Sequence, residues 1–281
     1  MPTPTATAIL ILDHFTPLEA RAKGAADATG VLPLTGFTSR GEEFDYEYYK
    51  KLAGDPKVVA VGECGLDYFH MAGDKERAAK QKRAFEEQIE LAREIKKPLM
   101  IHCRDGKKSG TGQAFDDLVD ILKTNAAAAP FISHSFVRDI GLAKKLLDLG
   151  SYFSFNGIIT FTHDYDEVVR FLPVDRILSE TDAPYLAPVP YRGKPRHQIE
   201  HCNAQTFSSV NRPDSQSHSF IVGPSKEAGV VENEVLGSVR GKRNEPAYVV
   251  EVVKKLAELK GLSVGKMSEQ IWENAKRIFL I

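Results

Sequence analysis

The sequence predicts an α/β fold, a TIM-type (β/α)8 barrel, and three observations carry that expectation. Apolar runs of strand length alternate with stretches of helical period, which is the sequence form of a parallel sheet covered by helices. Four of those runs end on residues able to hold a cation: Val58 to Gly62 runs into Glu63, Leu99 to Ile101 into His102, Phe131 to Ser133 into His134, and Arg176 to Leu178 into Ser179-Glu180-Thr181-Asp182-Ala183-Pro184-Tyr185. Such residues at the C-terminal ends of successive strands fit a closed barrel better than an open sheet. The length, 281 residues, is one that a single barrel of this kind commonly fills.

The elements follow in order. Ala8 to Leu12 is a short apolar run, after which Gly24, Gly30, Pro33, Gly36 and Gly41 interrupt any longer period. Phe44 to Leu52 reads as a short helix, Lys57 to Gly62 as a strand, and Glu63 to Tyr68 as the turn that leaves it. From Ala78 to Lys96 the residues Phe85, Ile89, Ala92 and Ile95 recur at spacings of three and four, which predicts a helix ending before Pro98. Gln113 to Lys123 and Asp139 to Leu149 are the next helices, Tyr152 to Phe155 the next strand, and Asp164 to Phe171 leads into the strand before Glu180. Two amphipathic helices, Pro246 to Lys260 and Ser268 to Phe279, are expected outside the barrel.

One domain, 1–281, is expected, interrupted at about 195–239 by an insertion rich in Ser, Asn, Gln, His and Gly with no sustained period. Arg192-Gly193-Lys194 before it recurs as Arg240-Gly241-Lys242 after it, a scar that an insertion would leave. No apolar stretch approaches the roughly 20 residues that span a bilayer, and Met1-Pro2-Thr3-Pro4-Thr5 lacks the basic start and apolar run of a signal peptide. No membrane contact is expected, and the cytoplasm or nucleus is the expected location. Cys64, Cys103 and Cys202 show no paired spacing, so neither a disulfide framework nor a zinc ribbon is indicated. A net charge of −1 gives no general attraction to nucleic acid, so contact with DNA must come from local patches such as Arg104, Lys107 and Lys108, with Arg192, Lys194, Arg240, Lys242 and Arg243 on later loops. No protein partner is identifiable.

A carboxylate able to bridge two cations, two imidazoles and a further Asp suit divalent metal ions, Zn²⁺ or Mn²⁺, and Mg²⁺ where water completes the shell. Two such ions about 3.5 to 4 Å apart activate water and steady a leaving oxygen in phosphodiester cleavage. Arg104, two residues after His102, is placed to hold a phosphate oxygen. Glu180 and Asp182 lie on one short segment, and only one of them is expected to face the cleft. Singly, His102 or His134 would read as a hydrogen-bonded core histidine; the joint placement of four residues at strand ends carries the metal reading. His70, His163, His197, His201 and His218 are read as solvated.

At these residues the chain resembles the TatD-type metal-dependent deoxyribonucleases, barrel hydrolases of the wider amidohydrolase group. The match rests on Gly62-Glu63-Cys64-Gly65-Leu66-Asp67-Tyr68, Ile101-His102-Cys103-Arg104, His134-Ser135-Phe136, Ser154-Phe155-Asn156-Gly157, Glu180-Thr181-Asp182-Ala183-Pro184-Tyr185, Arg240 to Pro246, and Trp272-Glu273-Asn274-Ala275. The resemblance implies that Glu63 bridges two metal ions, that His102 and His134 complete one position, and that Asp182 serves the other and orients the attacking water. Glu63 and Asp182 are then the catalytic residues, Arg104, Tyr185, Arg243 and Asn244 contact substrate, and the substrate is DNA, cut from the 3′ end.

The departure is at the N-terminus. The family opens on His-x-His, whereas this chain carries His14 alone there, and the stretch from Asp13 to Glu63 is short for two full strand-helix units, so against the family the barrel is expected incomplete at its N-terminus, with the first one or two βα units missing or degenerate. The position of Glu63, His102 and His134 is therefore expected intact and the other crippled, so that one ion replaces the family's two. Two alternatives stay open: an impaired member acting as a binding or structural protein, and a related barrel hydrolase acting on small phosphoesters or amides.

Overall fold

A computed structural model describes residues 44–69, 74–106, 113–125, 129–192 and 244–280, together with the backbone of 8–10. The expected insertion, His14 and Arg243 lie outside the described residues, as do Lys107, Lys108, Lys194, Arg240 and Lys242.

The strands are β1 (Ala8–Leu10), β2 (Val58–Asp67), β3 (Leu99–Arg104), β4 (Phe131–Ser133), β5 (Tyr152–Phe155) and β6 (Ile177–Ser179). They form one sheet in sequence order, and each neighbouring pair is parallel. The helices are α1 (Tyr46–Ala53), α2 (Lys75–Ile95), α3 (Gln113–Thr124), α4 (Ile140–Asp148), α5 (Asp166–Phe171), α6 (Val249–Lys260) and α7 (Val264–Phe279). Among the described residues β1 lies directly against β2, with no strand between them, and does not pair with β6. Among the same residues no helix is long and apolar enough to cross a membrane.

Local chemistry sets the element boundaries. Asp74 accepts from the N–H groups of Glu76 and Arg77, so α2 begins three residues before the apolar period does. Ser263 likewise caps α7, which starts at Val264 rather than at Ser268. The expected turn after Gly62 is instead strand: Cys64 to Asp67 pair with Ile101 to Arg104 after a register shift between Val61 and Cys64. Such a bulge re-aims a side chain without ending the strand, and periodicity does not reveal it.

Strand alternation gives the sheet two faces with different content. Phe131, Phe153, Phe155 and Ile177 join the main core with Phe85, Ile89 and Ala92 of α2 and Leu118 and Leu122 of α3. Ile132, Tyr152 and Leu178 point the other way and form a smaller cluster closed by Ile278 of α7. Two residues further along that second face stand His134, Ser154 and Glu180. An apolar floor thus lies directly under the polar residues at the strand ends.

Candidate active site

Each functional side chain is delivered by a strand end or by the bulge. Glu63 lies at the bulge of β2, and Gly65 pairs with His102 of β3. Gly65 has φ +132°, and a Cβ there would stand 2.1 Å from the His102 carbonyl oxygen, so only glycine lets β2 pass β3 at this point. His134 follows β4, its N–H donating to the Ile101 carbonyl at 2.9 Å. Asp182 follows β6 in a left-handed conformation (φ 55°).

These residues meet. Glu63 Oε1 is 2.7 Å from His102 Nδ1 and 3.4 Å from His134 Nε2. Asp182 Oδ1 reaches within 4.0 Å of His134 Nε2. The other ring nitrogen of His134, Nδ1, is 2.6 Å from Glu180 Oε2. Glu180 also accepts from the Ser135 N–H at 2.8 Å and the Ser154 hydroxyl at 2.6 Å. Glu180 thus meets His134 at Nδ1 and Asp182 faces it at Nε2, so the two carboxylates stand at opposite nitrogens of one ring, and Asp182 is the one on the side shared with Glu63.

The electrostatics follow from burial and neighbours. Burial pulls both imidazoles down, but the facing carboxylates outweigh it. Glu63 and Asp67 raise His102 to about 10, and Glu180 and Glu63 hold His134 well above the usual histidine range. Burial, with the charges of Glu180 and Glu63, pushes the Asp182 carboxyl up to about 6 against the opposing pull of His134. Burial also raises Asp67, but the adjoining His102 draws it below the ordinary carboxylate value.

The donor set fits a small divalent cation. Around a zinc-sized ion with bonds of about 2.0–2.2 Å, neighbouring donor atoms stand about 3 to 3.5 Å apart, and Glu63, His102 and His134 already approach that spacing. Among the described residues His102 Nε2 is a buried nitrogen without a hydrogen-bond partner; Asp67 Oδ2 lies 3.4 Å away. Among the described residues no three such side chains stand as a ready-made metal cage, because the donors meet one another in direct hydrogen bonds and ion pairs.

The remaining sequence candidates divide. Arg104 ends β3 on the same rim, with its guanidinium carbon 3.7 Å from the centre of the Phe69 ring. Tyr185 is 56% exposed. Asn244 is a correction. Buried at 2% exposure, it donates its amide protons to the Thr181 and Tyr185 carbonyls, both at 2.6 Å, and its own oxygen accepts from the Glu245 N–H. With its polar atoms spent on the chain, Asn244 braces the loop that carries Asp182 instead of contacting a substrate. Sequence reasoning missed Asp67 beside His102 and the grip of Ser135 and Ser154 on Glu180. Ser154 was recoverable from alternation, two residues after the inward Tyr152.

The sequence model described as "TatD related DNase" matches residues 15–208 and 232–280. The chain belongs to this TatD family. The uncharacterized metal-dependent hydrolase YcfH of Escherichia coli K12 is 30% identical over 270 residues, covering 95% of this chain and 78% of the relative. The uncharacterized metal-dependent hydrolase YabD of Bacillus subtilis is 34% identical over 242 residues, covering 85% and 72%. Among solved structures, YjjV, a TatD homologue from E. coli K12, superposes with a TM-score of 0.64 at 21% identity over 98% of this chain and 87% of its own. A TatD-family hydrolase from Entamoeba histolytica gives 0.58 at 17% identity over 93% and 79%. These likenesses speak for the fold, and the fold is that of the TatD barrel.

Proposed function

We propose that this TatD-family chain is a divalent-metal-dependent hydrolase that cleaves phosphodiester bonds of DNA from the 3′ end. The observation that carries the reading is Glu63 Oε1 set between His102 Nδ1 and His134 Nε2 at 2.7 and 3.4 Å, on the rim where Asp182 and Arg104 also end. The family's description as DNase and the naming of YcfH and YabD as metal-dependent hydrolases support it.

In this reading Glu63, His102 and His134 hold the metal, and Asp182 stands across from them. A bound divalent ion supplies Lewis acidity toward a phosphoryl oxygen and toward water. Asp182 accepts the proton of the attacking water as the water oxygen bonds to phosphorus, and the bond to the departing sugar oxygen breaks with that oxygen taking a proton from solvent. Arg104 offers its guanidinium to a phosphate oxygen, and Phe69 beneath it steadies the plane of the fork. The net charge of −1 leaves attraction for DNA to such local groups.

The test is hydrolysis of a 5′-labelled oligonucleotide by the purified chain with Mg²⁺, Mn²⁺ or Zn²⁺, beside small phosphoesters. A ladder shortening from the 3′ end, abolished by chelation, is expected. Turnover of the small esters alone would overturn the DNA assignment, and cleavage indifferent to chelation would overturn the metal.

A further inference from the structure

We propose that Glu180 is a positioning residue for the metal centre: it fixes the His134 ring so that Nε2, and not Nδ1, is presented to Glu63 and Asp182. The assignment rests on the reading of the cluster as a metal site.

Three donors converge on this carboxylate. Oε2 faces His134 Nδ1 at 2.6 Å and takes the Ser154 hydroxyl at 2.6 Å, while Oε1 takes the Ser135 N–H at 2.8 Å. The same group therefore grips the ring and the backbone next to it. That backbone is itself held: Ser135 lies at φ 47°, and Asn156 Nδ2 donates to its hydroxyl at 2.7 Å. Glu180 is anchored from its own side by its N–H on the Phe155 carbonyl at 2.9 Å.

The chemical consequence concerns one proton. A neutral imidazole carries its proton on one nitrogen only, and an acceptor fixed at Nδ1 places it there, leaving the Nε2 lone pair for a cation. Glu180 lies on the Nδ1 side of the ring, with each oxygen already accepting a hydrogen bond, so it holds the ring and does not share the ion that Nε2 would face. Asp182 is the opposite case: among the described residues its carboxylate makes no hydrogen bond, and it points to His134 Nε2 from 4.0 Å. The two acids of Glu180-Thr181-Asp182 thus divide the work, one holding the ring and the other meeting the chemistry.

Zn²⁺ affinity by competition calorimetry and the ring signals of ¹⁵N-histidine-labelled protein test this together. Wild type is expected to show a low-field Nδ1–H resonance from His134. Glu180→Ala is expected to lose that resonance and to bind Zn²⁺ about 10- to 100-fold more weakly, while Glu180→Gln, which keeps one acceptor oxygen, recovers part of the loss. A folded Glu180→Ala protein that binds Zn²⁺ as tightly as wild type overturns the positioning role alone. Wild type that binds no Zn²⁺ overturns the metal reading and this role with it. Should the Ala variant not fold, the wild-type spectrum decides, since a His134 ring protonated on Nε2 and not on Nδ1 contradicts the assignment.

Discussion

The same three strand faces carry an apolar floor and, two residues further on, a polar site, and the two regions are built by different rules. In the floor, Ile132, Tyr152 and Leu178 meet Ile278 of α7 by apolar packing. In the site, His134, Ser154 and Glu180 meet in hydrogen bonds of 2.6 Å, and each atom has an assigned partner. The difference teaches that one alternation places both regions, while packing holds the first and atom-by-atom complementarity the second. Changes in the floor should cost stability and spare chemistry, and changes in the site should do the reverse.

The largest effect is expected at Glu63. Glu63→Ala removes the oxygen shared by two imidazoles, and hydrolysis should fall by more than about 100-fold, beyond what loss of a supporting residue costs, with little change in the urea midpoint. Rates on a labelled oligonucleotide and urea melts of the same preparation check both halves. A protein that instead unfolds would place Glu63 with the floor.

Ile278→Ala is the mirror experiment. Ile278 is 2% exposed, and truncating such a side chain costs about 2 to 5 kcal/mol. Urea denaturation should show that loss, while the hydrolysis rate measured well below the midpoint should stay near wild type. A collapse in rate without loss of stability would break the separation.

Asn244→Ala tests the link between the regions. It leaves the Thr181 and Tyr185 carbonyls without their donor, at about 1 to 3 kcal/mol, and frees the loop that places Asp182. Stability and rate should both fall, the rate about tenfold, since a misplaced base loses much of the 10²–10⁴-fold it contributes.

The smallest effect is expected from removing 193–240, which rejoins Arg192 to Gly241. The flanks are pinned to each other by the Tyr191 and Tyr248 rings, stacked at 3.8 Å, and by the Asn244 N–H on the Pro184 carbonyl. Loop length itself costs only about 0.6 kcal/mol per doubling, so the melting profile should scarcely move. A protein that fails to fold would show the segment to be part of the domain.

The strand ends were legible in the sequence because an apolar run of strand length stops at each of them. Continuous apolar runs of strand length marked β3, β4 and β5, a 3.6-residue period marked α2, and the residues closing the runs pointed to Glu63, His102 and His134. What escaped was whatever depends on backbone detail. The bulge in β2, which turns a supposed turn into strand, has no signature in period. Asn244 was expected at the substrate from the resemblance alone, and its hydrogen bonds to the Thr181 and Tyr185 carbonyls depend on backbone that only the fold brings beside it. The pairing of Glu180 with His134 joins residues far apart in sequence, and only the fold brings them together.

The central claim is that Glu63, His102 and His134 hold a divalent metal ion, and calorimetric titration of Mn²⁺ or Zn²⁺ into the metal-free chain tests it most directly. Saturable binding in wild type that is lost in Glu63→Ala is the predicted result. Identical titrations for the two proteins would contradict it.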